Sequence, residues 1–297
     1  MAVPNGIYAP ILTPVTSNLE IDIELLLEHA QFLLDNGATG IAHLGTTGEA
    51  NSFSFQQKKE LIKAVGDSQL ALDKSMIGSG CASIKETIEL TKYAIDHGLT
   101  HSLMLPPFYY KLVSDHALVD YYSQVIDSVN DDRLQIYMYH YPKMSTVPLS
   151  ISVMQQLVNK YPKVIIGMKD STGDFESTKS YLEAMPSHFQ VFPGTENLLA
   201  ITMPMGAAGC ISATMNVSTK LISQTYEKCL QKESVEQEQS LITRRRAAFA
   251  GLSYPGALKG YLAHHNKDDR WNGVMPPNEL LDKAKVLEIA KVLDELI

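Results

Sequence analysis

The 297-residue chain carries 25 basic and 33 acidic side chains, a formal net charge of −8, and 45% of its residues are hydrophobic. This composition predicts a soluble globular protein with a sizeable core, and it disfavours nucleic acid and membrane surfaces as partners because an acidic chain is not attracted to either. The one basic run, Arg244 to Arg246, is too small for a nucleic-acid footprint. We interpret it as a solvated helix face or a subunit contact.

Cysteine usage and the N-terminus predict a cytoplasmic protein. Cys81, Cys210 and Cys229 are widely separated and form no CxxC pair, which fits a reducing compartment and argues against a disulfide framework or a cysteine zinc site. Residues 1–15 lack a basic region and contain prolines where a signal peptide needs an apolar helix, so we expect no export. The uncharged stretch 198–219 is interrupted by proline and glycine, which favours a buried strand over a membrane span.

Short apolar segments alternate with longer helical patterns along the chain, which is typical of βα units and a parallel sheet. The predicted strands are Ile7–Leu12, Gly40–Leu44, Ser75–Gly78, Ser102–Leu105, Gln135–Tyr139, Val164–Met168, Gln190–Phe192 and Gly209–Ser212. Between them lie helical patterns such as residues 21–36, where Asp22 is a candidate N-cap. Equivalent strand positions recur at about 30 residues, which is the length of one strand plus one crossover helix.

No linker or change in composition divides the chain, which disfavours two doubly wound domains. We therefore predict an α/β fold, a (β/α)8 TIM barrel over residues 1–230, followed by a C-terminal helical extension over residues 231–297 that packs on the barrel. In such a barrel, catalytic groups lie at the C-terminal ends of the strands and in the loops that follow them.

The segment after the second strand, Gly45 to Glu49, combines two glycines with adjacent threonines. Glycines permit a tight turn with exposed N–H groups, and the hydroxyls of Thr46 and Thr47 add donors, which together suit a carboxylate. An ordinary glycine-rich turn explains the same pattern equally well.

Two side chains at predicted strand ends, Lys169 and Tyr139, are candidates for catalysis. Lys169 follows an apolar strand, so its amine either reaches water or lies desolvated in the barrel mouth. Desolvation favours the neutral amine, which attacks carbonyl groups to form a Schiff base without a metal. Tyr139 ends the fifth strand, where tyrosine more commonly packs in a core, but a position just before a proline-containing loop favours a role in catalysis.

These segments resemble, in order and spacing, the dihydrodipicolinate synthase and N-acetylneuraminate lyase family of pyruvate-dependent class I aldolases. The resemblance covers nearly the whole chain. The segments that carry it are Thr13-Pro14, Gly45 to Glu49, Pro107 to Tyr110, Tyr139 to Pro142, Gly167 to Asp174, and Gly194.

The resemblance implies that Lys169 forms a Schiff base with pyruvate or a 2-keto acid and that Tyr139 is the general acid and base. It further implies that Thr46 and Thr47, with Gly48, hold the keto acid's carboxylate. Thr46 would also pass protons between Tyr139 and Tyr110, and the tyrosine matching Tyr110 can reach across a dimer interface in family members. A homotetramer, a dimer of dimers, is the expected assembly, with small-molecule keto acids and aldehydes as the ligands and no cofactor or metal.

Departures from the family's patterns narrow the substrate. Dihydrodipicolinate synthases carry an arginine where this chain has Met144, which disfavours that activity. Sialic-acid lyases bind the sugar tail through an Asp-Glu pair and a serine, whose positions here hold Glu196, Asn197 and Ala213. The remaining likeness is to 2-keto-3-deoxy sugar-acid aldolases and dehydratases. Candidate contacts to the rest of the substrate are Gly194, Glu196, Asn197 and Ser212.

Three features or functions are alternatives to a Schiff-base aldolase: a dinucleotide-binding loop, a metal site and a non-catalytic regulator. Gly78 to Ser83 resembles a dinucleotide loop but lacks the third glycine. His97 and His101 have a metal-like spacing, but the start of a strand falls between them and no third ligand is near. The third alternative is a keto-acid-binding regulator without turnover, although a pure binder does not need Lys169 and Tyr139 together.

Overall fold

The computed structural model describes residues 2–296, and a sheet of eight parallel strands lies at its centre. The strands are β1 Gly6–Pro10, β2 Gly40–His43, β3 Ser75–Ile77, β4 His101–Met104, β5 Gln135–His140, β6 Ile165–Asp170, β7 Gln190–Pro193 and β8 Gly209–Ile211. All eight predicted strands are confirmed, and their ends differ from the prediction by at most two residues.

The sheet curls into a nearly closed barrel. Its strand order is β7-β6-β5-β4-β3-β2-β1-β8, so only β7 and β8 lack a strand ladder between them. There the N–H of Ala208, just before β8, donates to the carbonyl of Val191 in β7 at 2.9 Å. Alternate residues of the strands fill the interior, including Tyr8, Tyr137 and Phe192. The predicted (β/α)8 barrel is therefore confirmed.

Twelve helices surround and follow the strands in the described chain. They are α1 Ile23–Asp35, α2 Phe55–Ser68, α3 Ile84–Asp96, α4 Asp115–Val129, α5 Pro142–Ser145, α6 Ile151–Lys160, α7 Phe175–Ala184, α8 Leu199–Thr202, α9 Met215–Leu230, α10 Glu236–Ala247, α11 Tyr254–Asn266 and α12 Lys283–Asp294. Asp22 caps α1 as predicted, because its carboxylate accepts the N–H of Leu25 at 3.0 Å. None of the helices in residues 2–296 is long and apolar enough to span a membrane.

The C-terminal helices pack against one side of the barrel. Leu258 and Leu262 of α11 join Trp271 and Leu293 in an apolar cluster with Leu12, which follows β1. The predicted helical extension is thus present. The proposed boundary at residue 230 coincides with the end of α9, while the outer limits of the two proposed domains, Met1 and Ile297, lie outside the described residues.

Of the two interpretations of Arg244 to Arg246, a solvated helix face or a subunit contact, the first fits only Arg244. Arg244 is exposed, but Arg245 donates from Nη1 to the carbonyl of Leu293 at 2.9 Å. Arg246 turns toward the barrel mouth and pairs with Glu196 at 2.8 Å. The physical reason is that the last turn of α10 lies within side-chain reach of the open carbonyls at the end of α12 and of the buried Glu196 carboxylate, and both accept hydrogen bonds from a guanidinium group.

A buried ion pair ties the extension to the loop after β2. Lys259 of α11 and Glu49 have fully buried side chains in contact through Nζ and Oε1. Glu49 also accepts the N–H of Met275 at 2.7 Å and the side chain of Asn278 at 3.2 Å, while Lys259 donates to the carbonyl of Gly273 at 2.8 Å. Burial lowers the pKa of Lys259, although the Glu49 carboxylate opposes that shift. The attraction between the two charges therefore offsets the cost of removing each of them from water.

Replacement of Lys259 tests this dependence. Lys259→Met leaves the Glu49 charge buried without its cation, so we expect the free energy of unfolding to fall by about 3 to 5 kcal/mol in equilibrium urea denaturation. The double variant Glu49→Gln with Lys259→Met removes both charges and should recover most of the loss. Lys291→Met, on a side chain that is 78% exposed, is the control and should change stability by no more than about 0.5 kcal/mol. Unchanged stability in Lys259→Met would contradict the argument.

Candidate active site

A cleft of about 390 Å³ opens at the C-terminal ends of the strands. Its lining combines strand-end residues with residues of α10, α11 and the loop after residue 272: Thr46, Thr47, Tyr139, Tyr141, Lys143, Met144, Lys169, Ser171, Thr172, Gly173, Gly194, Thr195, Ala213, Arg246, Leu252, Ser253, Tyr254, Pro255 and Asn278. Five predicted site residues therefore meet here: Thr46, Thr47, Tyr139, Lys169 and Gly194. A second cleft of about 440 Å³ lies among the outer helices and contains none of them.

A register shift between β5 and β6 brings Lys169 beside Tyr139. Ile136 pairs with Ile165, but beyond an irregularity Tyr137 pairs with Gly167 and Tyr139 pairs with Lys169. Because strand side chains alternate between faces, one extra residue on β6 reverses the face of every residue after it. The shift turns Lys169 to the inside of the barrel, on the same side as Tyr139.

The Lys169 amine is desolvated. The residue is 5% exposed, and Nζ lies 3.4 Å from the hydroxyl of Tyr139 and 4.6 Å from the centre of that ring. Burial, assisted by the nearby Arg246 charge, lowers the pKa of Lys169 to about 7. A substantial fraction of the amine is therefore neutral and nucleophilic at neutral pH.

Tyr139 connects Lys169 to the loop after β2. Its hydroxyl lies 3.4 Å from Oγ1 of Thr46, and either oxygen can be the donor. Burial raises the pKa of Tyr139, while hydrogen bonds with Thr46 and Ser171 oppose the shift. A neutral tyrosine with a hydroxyl neighbour on one side and an amine on the other can pass a proton in either direction.

The loop after β2 presents donors to the cleft. Glu49 has a left-handed backbone, and its N–H bonds to the carbonyl of Thr46 at 3.1 Å. Among residues 2–296, no protein acceptor is found for the backbone N–H groups of Thr46 and Thr47, which together with the Thr hydroxyls suit a carboxylate. Gly48, a predicted site residue, is not part of the cleft lining; an added Cβ there would stand 2.8 Å from the carbonyl oxygen of Ile11, which favours glycine.

The turn after β6 is fixed by Asp170. Its buried carboxylate accepts the hydroxyls of Thr178 at 2.7 Å and Thr172 at 3.0 Å. Gly194, at the end of β7, packs so closely that an added Cβ would lie 2.3 Å from Oγ of Ser171. Gly194 therefore allows Ser171 to approach Tyr139.

Glu196, predicted as a substrate contact, instead anchors an arginine. It is 1% exposed, is not part of the cleft lining, and accepts hydrogen bonds from Ser212, Thr214 and Arg246. Sequence reasoning missed Arg246, since a basic run on a helix is typical of a solvated face. Ser212 lies with Glu196 outside the lining.

Asn197 and Tyr110 also lie away from the cleft. Asn197 is exposed, and its backbone N–H bonds to Oγ1 of Thr195 at 3.3 Å. Tyr110 is 78% exposed and packs edge-on against Tyr109, next to the fully exposed Leu112. The described chain alone therefore does not place Tyr110 beside Thr46.

The competing motifs have structural roles. His97 ends α3, and its Nδ1 lies 2.8 Å from the carbonyl of Tyr93. No group of three or more metal-binding side chains occurs in residues 2–296. In the segment Gly78 to Ser83, the hydroxyl of Ser79 bonds to Ser102 at 2.6 Å and the N–H of Cys81 bonds to Thr87 at 3.0 Å, so these two groups are engaged within the protein.

A parallel barrel with a desolvated lysine at its mouth is typical of Schiff-base lyases. Comparison with known proteins agrees: the chain belongs to the Dihydrodipicolinate synthetase family, whose profile matches residues 3–247. The resemblance inferred from the sequence is thereby confirmed. The protein is accordingly an enzyme, a lyase of this family.

Individual relatives show how far the likeness extends. An uncharacterized DapA-like lyase of Chloroflexus aurantiacus is 31% identical over 94% of this chain and 91% of its own. A 4-hydroxy-tetrahydrodipicolinate synthase of Methanopyrus kandleri is 29% identical over 75% of this chain and 73% of its own. The fold matches that of YagE from E. coli, solved in complex with pyruvate, with a TM-score of 0.91 and 23% identity over 99% of both chains.

Competitive labelling tests the desolvation of Lys169 without reference to any substrate. Trace acetic anhydride with N-acetyl-lysine amide as internal standard, followed by peptide mass mapping, gives the pH dependence of each amine's reactivity. We expect half-maximal labelling of Lys169 near pH 7 and of the standard near about 10.4. A Lys169 profile that follows the standard would show a solvated amine.

Proposed function

We propose that Lys169 is the nucleophile that forms a Schiff base with pyruvate or with the keto group of a 2-keto-3-deoxy sugar acid. The supporting observation is the pairing of its desolvated amine with the Tyr139 hydroxyl at 3.4 Å, because addition to a carbonyl needs both a neutral amine and a proton donor at the oxygen.

In the cleavage direction the amine adds to the keto carbon, Tyr139 gives a proton to the carbinolamine oxygen, and water leaves. The resulting iminium accepts the electron pair of the bond between its α and β carbons. Tyr139 at the same time removes the proton of the hydroxyl on the β carbon. An aldehyde departs, the enamine is protonated, and hydrolysis releases pyruvate and restores Lys169. Condensation is the same sequence reversed.

The loop after β2 holds the substrate's carboxylate in this proposal. The N–H groups and hydroxyls of Thr46 and Thr47 donate to it, Gly48 gives the loop its shape, and Thr46 also exchanges a proton with Tyr139. Gly194 leaves room for Ser171, whose side chain forms a hydrogen bond with Tyr139. Glu196 and Ser212, which the sequence placed among the substrate contacts, now act through Arg246.

The sugar-acid assignment is supported by what the cleft presents to the aldehyde half. Met144 lines it where dihydrodipicolinate synthases carry an arginine, and neither Glu196 nor Asn197 lines it as a polyol-binding pair would. These features disfavour dihydrodipicolinate synthase and N-acetylneuraminate lyase activities. A 2-keto-3-deoxy acid dehydratase uses the same Schiff base and stays the second candidate. A regulator without turnover is disfavoured because Thr46, Tyr139 and Lys169 together serve proton transfer.

The exposed tyrosines support the proposed assembly. Tyr109, Tyr110 and Leu112 form an apolar surface on one loop, and a homodimer would cover it and bring Tyr110 to the neighbouring protomer's Thr46. We propose a homotetramer built as a dimer of such dimers, located in the cytoplasm.

Borohydride reduction with pyruvate tests the nucleophile. We expect the reduced pyruvate adduct on Lys169 and none on Lys143, which lines the same cleft but is exposed. Lys169→Met should lose the adduct and turnover while remaining folded by circular dichroism. Turnover retained in Lys169→Met, or label only at other lysines, would overturn the Schiff-base assignment.

A substrate panel distinguishes the two candidate reactions. Incubation with 2-keto-3-deoxy sugar acids should yield pyruvate and an aldehyde, measured by coupled reduction of the pyruvate. A dehydrated keto acid in place of pyruvate would establish the dehydratase. The variant Lys169→Met is the control in both cases, because both reactions require its amine.

A further inference from the structure

The second cleft, of about 440 Å³, lies away from the strand ends and shares no lining residue with the candidate active site. We call it the outer cleft and define it by Ser218 and Leu221 of α9, Leu241 and Arg245 of α10, and Tyr261 and Leu262 of α11. Clefts of this size bind small organic molecules in many proteins. The proposed reaction makes no use of it.

Arg245 is held in one orientation beside a kink in α9. The backbone of Ser218 is non-helical, with φ −140° and ψ 24°, and it interrupts the helix after its first turn. Nε of Arg245 donates to Oγ of Ser218 at 3.0 Å, and Nη2 donates to the carbonyl of Val217 at 3.3 Å. Nη1 donates to the carbonyls of Leu293 at 2.9 Å and Leu296 at 3.4 Å. The guanidinium therefore has a fixed position at the outer cleft.

The charge of Arg245 has no anionic partner within residues 2–296. Its hydrogen bonds go to a hydroxyl and to backbone carbonyls, and none of the ion pairs of the described chain includes it. Lys220, which is exposed, also lines the outer cleft, whereas no described aspartate or glutamate does. Asp294 acts on the buried Tyr261 but is not part of the lining. A chain of net charge −8 therefore has a locally cationic cleft here.

Much of the remaining lining is apolar. Tyr261 and Leu262 are each 4% exposed, and Leu221 and Leu241 are half-buried. Phe32 of α1 also lines the outer cleft and is 54% exposed, a large fraction for a phenylalanine. A ligand with a hydrocarbon body would remove this surface from water, which is favourable in proportion to the apolar area covered.

We propose that the outer cleft binds a small amphipathic carboxylate. Its hydrocarbon body packs against Leu241 and Leu262, and its carboxylate lies beside Arg245 and Lys220. Charge complementarity supports this class of ligand, because two cations border an apolar surface that no described acidic side chain lines. Arg245 supplies a fixed positive charge, and the flexible Lys220 ammonium supplies hydrogen-bond donors. This site is independent of the Schiff-base chemistry.

Four probes separate the contributions of charge and hydrocarbon. Equilibrium dialysis with radiolabelled octanoate gives its dissociation constant on the full chain, and octanol, octylammonium and acetate are measured as competitors. We expect octanoate to bind with a dissociation constant about tenfold below that of octanol, because only octanoate has a group that the cations attract. Octylammonium has the opposite charge and acetate lacks the hydrocarbon body, so both should compete more weakly than octanol.

Two substitutions of Leu241 locate the site. Leu241→Asp and Leu241→Asn have nearly the same shape and differ in charge. Leu241→Asp should raise the dissociation constant of octanoate about tenfold relative to Leu241→Asn, because it puts a carboxylate beside that of the ligand. The two variants should bind octanol equally.

Replacement of the arginine tests the source of the charge preference. Arg245→Gln should bring the dissociation constants of octanoate and octanol close together. Arg244→Gln removes the same charge from an exposed position on the same helix and should leave both constants unchanged. Where Arg245→Gln does not fold, the Leu241 pair still measures the charge preference.

Lys169→Met distinguishes the outer cleft from the candidate active site. It alters only the active site, so octanoate should bind this variant as it binds the unmodified protein. Loss of binding in Lys169→Met, or equal binding by Leu241→Asp and Leu241→Asn, would overturn the proposal by placing octanoate elsewhere. The absence of octanoate binding at millimolar concentration, or equal affinity for octanoate and octanol, would overturn it too. None of these results bears on whether Lys169 forms a Schiff base.

Discussion

The site depends on the register shift between β5 and β6. Without the extra residue on β6, the ladder that starts at Ile136 and Ile165 would pair Tyr139 with Met168, and Lys169 would face the helices. With it, two residues on neighbouring strands lie side by side inside the barrel. Strand ladders are rigid, so the amine and the phenol keep their separation without relying on any loop.

The electrostatics of the cleft follow from what surrounds it. Burial removes water from Lys169, and the Arg246 charge acts in the same direction, so the amine loses its proton more readily than an ordinary lysine. The same arginine is neutralised from behind by Glu196. An acidic protein thereby has a locally cationic cleft, and in the proposed reaction the same positive charge attracts an anionic keto acid and favours the neutral form of the Lys169 amine.

Much of this arrangement could be predicted from the sequence, because strand ends are marked by apolar runs that stop at polar or glycine residues. That signal located all eight strands and placed Thr46, Tyr139 and Lys169 at one end of the barrel. The register shift has no such signal, since one extra apolar residue in β6 does not alter the pattern. Arg246 and Glu196 were misassigned for a related reason: composition shows that a residue is charged but not which way its side chain turns when the helix packs.

The Glu49–Lys259 pair joins a loop made early in synthesis to a helix made late. Chains emerge from the ribosome N-terminus first, so the strands carrying Thr46, Tyr139 and Lys169 are present well before α11 exists. Until then the Glu49 carboxylate lacks the Lys259 cation and is more stable in water than buried. The loop after β2 therefore cannot adopt the conformation in which Glu49 is buried. The final conformation of the loop after β2, which carries Thr46 and Thr47, is therefore linked to the presence of α11, although the two segments are far apart in the chain.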